Sequence, residues 1–126
     1  VVEKVLNIGS KEVKFKSSAA VPRMYRVEFG RDIFVDIQKL RQSFYENVGN
    51  RNASNLSIAD LTIFENVAYI MAKHADANIP STIDEWLEGF EMFSIYEILP
   101  EILELWGDNV QGDAEAKKNN PQQSEK

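Results

Sequence analysis

Apolar residues alternate with polar ones over the first sixteen positions, and the rest of the chain changes to helical spacing. Leu6 and Ile8 flank Asn7, Gly9-Ser10-Lys11 supply a turn, and Val13 and Phe15 alternate with Lys14 and Lys16. A period of two marks strands with one buried face, so residues 4–16 are expected to form a β-hairpin. A lone hairpin is marginal in water, so it must pack on helices or extend a partner's sheet. Ser17 and Ser18 end the run. Pro22 then fits the first turn of a helix over 22–29, where a missing N–H costs no bond. Tyr25 and Phe29 give that helix an apolar stripe, with Val21 at its entry. Gly30 suits a left-handed helix end, and Asp32 suits the cap of the next helix.

Helix two is expected over 33–48, with Ile33, Ile37, Leu40 and Phe44 on one face. Phe34 and Tyr45 widen that face, and Gly49 stops the helix before a polar loop at 50–55. Helix three, 58–75, opens on Ser57 with Asp60 three residues on, a short version of the capping box. Leu61, Phe64, Ala68 and Met71 form one stripe and Ile63, Val67 and Ile70 an adjacent one, which predicts the central, most buried element. Thr82 with Glu85 caps a helix over 82–91 that carries Ile83, Trp86, Leu87 and Phe90. Ser94 with Glu97 repeats the pattern for a last helix, 95–106, with Ile98, Ile102 and Leu105 in line. Pro100 lies about a turn inside and should bend or restart it. The expected fold is mainly α with a small N-terminal hairpin: an α+β chain built as a compact bundle of about five helices. Residues 1–107 form one folded domain in this reading. Residues 108–126 have almost no apolar surface to bury and are expected to be disordered.

Charge sharpens this picture. Residues 1–51 carry ten Lys and Arg against six Asp and Glu, a balance of +4, and residues 52–126 carry four against fourteen, a balance of −10. No basic residue occurs between Thr82 and Ala116. The asymmetry fits either an acidic surface for a basic partner or two halves of one domain that attract each other. The hairpin lysines Lys4, Lys11, Lys14 and Lys16 read as a solvated face rather than a phosphate site. Without cysteine the chain has no disulfides and no thiolate chemistry, and an intracellular setting follows as the expectation. No apolar run reaches the roughly 20 residues of a membrane span, and no signal-peptide core is present. Asn52-Ala53-Ser54 matches a glycosylation acceptor only by chance in a polar loop.

Candidate chemistry is sparse. The chain has no glycine-rich phosphate loop, no metal-ligand spacing and no nucleophile elbow, so no catalytic, cofactor-binding or metal residue is assigned and no enzyme is expected. His74, the sole histidine, falls in the last turn of helix three, where the negative helix end suits it on the surface. A catalytic base would need a nucleophile or an orienting carboxylate in reach, and the sequence points to neither. The carboxylates of the last two helices read as solvated faces. Arg23, Arg26 and Arg31 beside Tyr25 suggest phosphate contacts, but a pI near 4.8 opposes binding to a polyanion. These arginines are expected to pair with carboxylates of the chain or of a partner.

Two segments carry a resemblance. Ser18-Ala-Ala-Val-Pro-Arg-Met-Tyr-Arg-Val-Glu-Phe-Gly-Arg-Asp32 and Phe93-Ser-Ile-Tyr-Glu-Ile-Leu-Pro-Glu-Ile-Leu-Glu-Leu-Trp106 resemble the tail assembly chaperones of long-tailed phages and prophages of Gram-positive bacteria. The family has a small hydroxyl residue where Val21 stands, so the entry to the first helix is expected to be less well capped here. The resemblance implies a chaperone in the bacterial cytoplasm that binds the tape-measure protein, keeps it soluble and helps to recruit tail-tube subunits. A structural tail or head-tail connector component is the alternative. The family's members are often made in two lengths by a ribosomal slip. Lys117-Lys118-Asn119 suits a slippery heptamer, so a longer form that recruits the tail-tube protein is implied, and self-association is left open. No nucleic-acid or membrane partner is expected.

Overall fold

The computed structural model describes residues 1–46 and 56–107. Strands β1 (Val2–Ile8) and β2 (Lys11–Ser17) pair antiparallel, with Ile8 opposite Lys11 and Val2 opposite Ser17. The hairpin is therefore longer than residues 4–16 and closes on a two-residue turn, Gly9-Ser10. Gly9 has φ +63, the conformation that a primed turn needs at its first central position. A Cβ at Gly9 would also sit 3.2 Å from Ser94 Oγ, so the turn is pressed against the C-terminal part of the fold. Leu6, Ile8, Phe15 and Ser17 face the core, while Glu3, Val5, Asn7, Glu12 and Lys14 face solvent. Ser17 is an unexpected core residue, and its buried hydroxyl has no hydrogen-bond partner among the described residues.

Helix α1 (Ala20–Phe29) starts two residues before Pro22, which stands in its first turn. Val21 is not at the cap at all: it lies inside the helix, fully buried. Ala19 occupies the cap position with helical angles and no side-chain bond, and Ser18 Oγ accepts the Ala20 N–H at 3.2 Å instead. Gly30, at φ +68, ends α1 and gives its N–H to the Arg26 carbonyl. Asp32 Oδ1 then accepts the Phe34 N–H and caps α2 (Ile33–Glu46). Ile33, Ile37, Leu40 and Phe44 are buried as their spacing requires, but Phe34 and Tyr45 are exposed and do not widen the buried face. At 3.6 residues per turn, each lies roughly 60–80° beyond the edge of the stripe, and solvent takes both. The last two residues expected in this helix (47 and 48), Gly49, the loop at 50–55 with its Asn52 motif, the tail at 108–126 and the Lys117-Lys118-Asn119 stretch lie outside the described residues.

Helix α3 (Ile58–Ala75) runs through the middle, with Ser57 Oγ accepting the Asp60 N–H at 3.1 Å. Phe64, Val67, Ala68, Tyr69, Met71 and Ala72 have no solvent exposure, while Leu61 is half-buried. Tyr69 closes a second side of the helix by giving its hydroxyl proton to the Pro80 carbonyl at 2.7 Å. Helix α4 is only Ile83–Leu87, well short of residue 91. Thr82 caps it as expected, but Gly89 and the carboxylates Glu88 and Glu91 disfavour continuation at a negative helix end. The chain instead makes tight turns, Gly89 N–H to Trp86 O and Phe90 N–H to Leu87 O.

The last segment begins as a 3-10 turn, Ile95–Ile98, and becomes α5 over residues 99–107. Ser94 is not a cap: it has helical angles, and its hydroxyl donates to Glu91 Oε1. Pro100 explains the division. As the second residue of α5 it needs no N–H bond there, so it restarts the helix rather than kinking it. Ile95, Ile98, Leu99, Ile102, Leu103, Leu105 and Trp106 all join one core with α3 and the inner hairpin face. Among the described residues the architecture is a two-stranded antiparallel hairpin on a compact set of five helices.

Candidate functional site

The β2–α1 junction and the end of α3 meet at His74. Its Nε2 lies 2.7 Å from Ser18 Oγ, and the ring is half-buried rather than on the surface. Burial pushes its pKa below the ordinary histidine value, Lys16 adds to the effect, and Glu3 opposes it. Ser18 Oγ and His74 Nε2 share one hydrogen bond whose direction follows the imidazole tautomer, and the Ser18 oxygen also accepts the Ala20 N–H. The hydroxyl thus ties the end of α3 to the start of α1. Among the described residues no carboxylate is hydrogen-bonded to the ring.

Arg31 does pair within the chain, as expected of the three arginines. Its Nε and one terminal nitrogen each donate to Asp36 at 2.7 Å, and the Tyr25 hydroxyl donates to the same carboxylate at 2.8 Å. Asp36 is buried on the inner side of α2, a polar residue that the apolar spacing gave no reason to place there. Arg31 holds its carboxyl below the usual range against the opposing effect of burial. Burial, then Asp36, pushes the Tyr25 hydroxyl up. Arg23 and Arg26 are exposed and have no ion pair among the described residues. The carboxylates of the C-terminal third are mostly exposed, with Glu104 reaching Lys4 at 3.5 Å. Glu65 accepts a 2.6 Å hydrogen bond from Tyr96 and, with burial, pushes that phenol up to about 12. Among the described residues no group of three or more histidine or carboxylate side chains could hold a metal ion. No helix among them is long and apolar enough to cross a membrane.

The remaining feature is an apolar surface. Phe34 is 56% exposed and its ring meets the edge of Trp106 with centroids 5.3 Å apart. Together with Ile37, Gln38, Arg41 and Tyr45 they line an open groove of about 630 Å³ between α2 and α5. Arg41 lies over the Tyr45 ring, 5.9 Å from its centre, and Gln38 and Gln42 supply uncharged polar edges. Val35, 61% exposed, adds an apolar neighbour on the outer side of α2. Chemically the groove offers aromatic contact area and a rim of amide and guanidinium donors, with nothing that makes or breaks bonds. Hydrophobic spacing alone put Phe34 and Tyr45 inside. The signal that separates them is their offset from the Ile33-Ile37-Leu40-Phe44 line, which leaves them flanking it. Compared with known proteins, the chain matches no family model, no curated protein and no solved structure.

Proposed function

We propose that the protein is a tail assembly chaperone of the long-tailed phage type, working in the bacterial cytoplasm. It holds an apolar helical segment of the tape-measure protein in the groove between α2 and α5 until tube subunits assemble around that protein. The observation that carries the reading is where the two resembling segments end. Phe34, two residues beyond the first, touches Trp106, the last residue of the second. The groove therefore lies where the two segments converge. Helix-in-groove binding draws its affinity from such apolar anchors, and donors at the rim orient the guest. The acidic balance of the chain keeps a complex with an aggregation-prone guest in solution. A longer form that continues past Lys118 in another reading frame and recruits tail-tube subunits belongs to the same proposal. A Lys118 codon of AAG, or a Lys117 codon ending in G, would remove that heptamer.

The test is co-expression with the tape-measure protein of the same genome. A soluble complex is expected, and Phe34→Asp should abolish it while leaving the fold intact. A tape measure that stays insoluble, with no complex at any salt concentration, would sink the reading.

A further inference from the structure

The hairpin leaves one edge open beside a cleft. In a two-residue turn the flanking pair exchanges main-chain hydrogen bonds, so Ile8 and Lys11 bond, and every second pair after them does the same. Lys11, Val13, Phe15 and Ser17 therefore use their main-chain groups on β1. Glu12, Lys14 and Lys16 turn theirs outward, and among the described residues no hydrogen bond reaches these groups. Such a row is a template for another strand unless something blocks it.

Along the same edge runs a cleft of about 390 Å³. Lys11 to Lys14 line it from the strand, and Ile79, Pro80, Trp86 and Phe90 supply apolar lining together with the carboxylates of Asp76 and Glu85. Helix α3 ends at Ala75, and the connection to α4 lines the cleft through Asp76, Ile79 and Pro80. The Lys11 ammonium lies 5.7 Å from the centre of the Phe90 ring at the cleft. Lysine on an edge is a common guard against unwanted pairing. An edge that needs only guarding does not require an aromatic-walled cleft beside it.

We propose that the outer edge of β2 is a strand-acceptor site for an extended segment of another protein, one that carries both apolar and basic residues. Main-chain pairing to Glu12 and Lys14 would hold the segment, which is the chemistry of strand addition. Its apolar side chain enters the cleft against Trp86 and Phe90. Its basic side chain meets Asp76 and Glu85, neither of which is in an ion pair among the described residues. A second copy of this chain is the competing occupant, because antiparallel pairing of two β2 edges about Lys14 would set Glu12 of each copy opposite Lys16 of the other. A dimer of the free chain that the peptide dissociates would overturn the assignment to another protein. The site shares no residue with the α2–α5 groove, so it stands or falls separately from the tape-measure reading.

The experiment uses the full chain, labelled with nitrogen-15, and a blocked hexapeptide of alternating valine and arginine added to about millimolar concentration. The amide signals of Glu12 and Lys14 and the Trp86 indole signal should shift, and the two amides should exchange more slowly. Lys14→Pro removes an edge donor but no β1–β2 bond. It should weaken binding about tenfold, the upper range of one hydrogen bond. Gly89→Val fills the cleft, where an added Cβ already comes within 3.3 Å of Lys11 Nζ, and should weaken binding similarly. If Lys14→Pro fails to fold, Gly89→Val and the exchange rates of the unaltered chain decide the matter. A valine–glutamate peptide that binds equally well would overturn the charge assignment. Absence of shifts at millimolar peptide, or shifts that neither folded variant reduces, would overturn the site.

Discussion

Replacing Phe64 with alanine probes the centre of the fold. Phe64 is fully buried on α3, and its ring lies 6.0 Å from that of Tyr96. Losing a buried phenyl ring forfeits about 2–3 kcal/mol of transfer free energy. The void adds to this at about 24 cal/mol per Å³, so a ring-sized hole of roughly 80 Å³ contributes about 2 kcal/mol more. Collapse would reduce the second part. Here one large neighbour resists it, because the Tyr96 hydroxyl is tied to Glu65, the residue after Phe64. The expected cost is therefore about 4 kcal/mol, near the middle of the range for such substitutions. That is a large share of a stability of about 5–15 kcal/mol. Chemical denaturation measures it as a lowered midpoint at unchanged slope. Phe34→Ala is the matched control, since that ring is mostly in solvent, and it should cost no more than about 0.5 kcal/mol. A Phe64→Ala loss below about 1 kcal/mol, or equal losses for the two, would refute the burial argument.

Three other outcomes test separate parts of the structure. Tyr25→Phe and Asp36→Asn, alone and combined, should show a coupling of about 0.5–3 kcal/mol, and additive effects would mean that their hydrogen bond contributes nothing. Because the folded state holds His74 below its unfolded pKa, the chain favours the neutral ring. That contribution is complete above the unfolded value, about 6.5, and is lost as pH falls through the folded one, so stability should drop between neutral and mildly acidic pH. His74→Gln should flatten that limb, and an unchanged pH profile would remove the histidine from the account. Gly30→Ala has free space around it but keeps a left-handed angle, so denaturation should show a loss of about 1–2 kcal/mol from strain alone.

The sequence carried the hairpin, the order of the helices and most of the core, because period two and period 3.6 are written directly into Leu6-Ile8, Val13-Phe15 and the α3 stripes. Punctuation was readable where one residue has one physical use: Gly30 as a left-handed end, Asp32 and Ser57 as caps. It failed where two uses compete. Ser94 fits a capping pattern, but the Gly9 turn packs against it and the chain enters a 3-10 turn instead. Helix α4 has the apolar spacing to reach residue 91, yet Gly89 and its own carboxylates end it early. The polar contacts were the least legible. Asp36 and Arg31 are five residues apart and Ser18 and His74 fifty-six apart, and no local rule links residues that only the tertiary fold brings together. For the same reason the groove was invisible, since its walls come from α2 and from the far end of the described chain.

That joining of first and last has a consequence for synthesis on the ribosome. Seven core residues, Ile95 to Trp106, arrive after the rest of the core, and they close the core shared with Leu6 and Ile8 on the first strand. Until Trp106 leaves the exit tunnel, the nascent chain holds a hairpin and a central helix with one side of their apolar surface uncovered. Folding of this core is therefore completed only once Trp106 has emerged, rather than by stages. A pause before that point would lengthen the period in which α3 can meet other nascent chains. Codons near the end of the folded region should influence soluble yield more than those near its start.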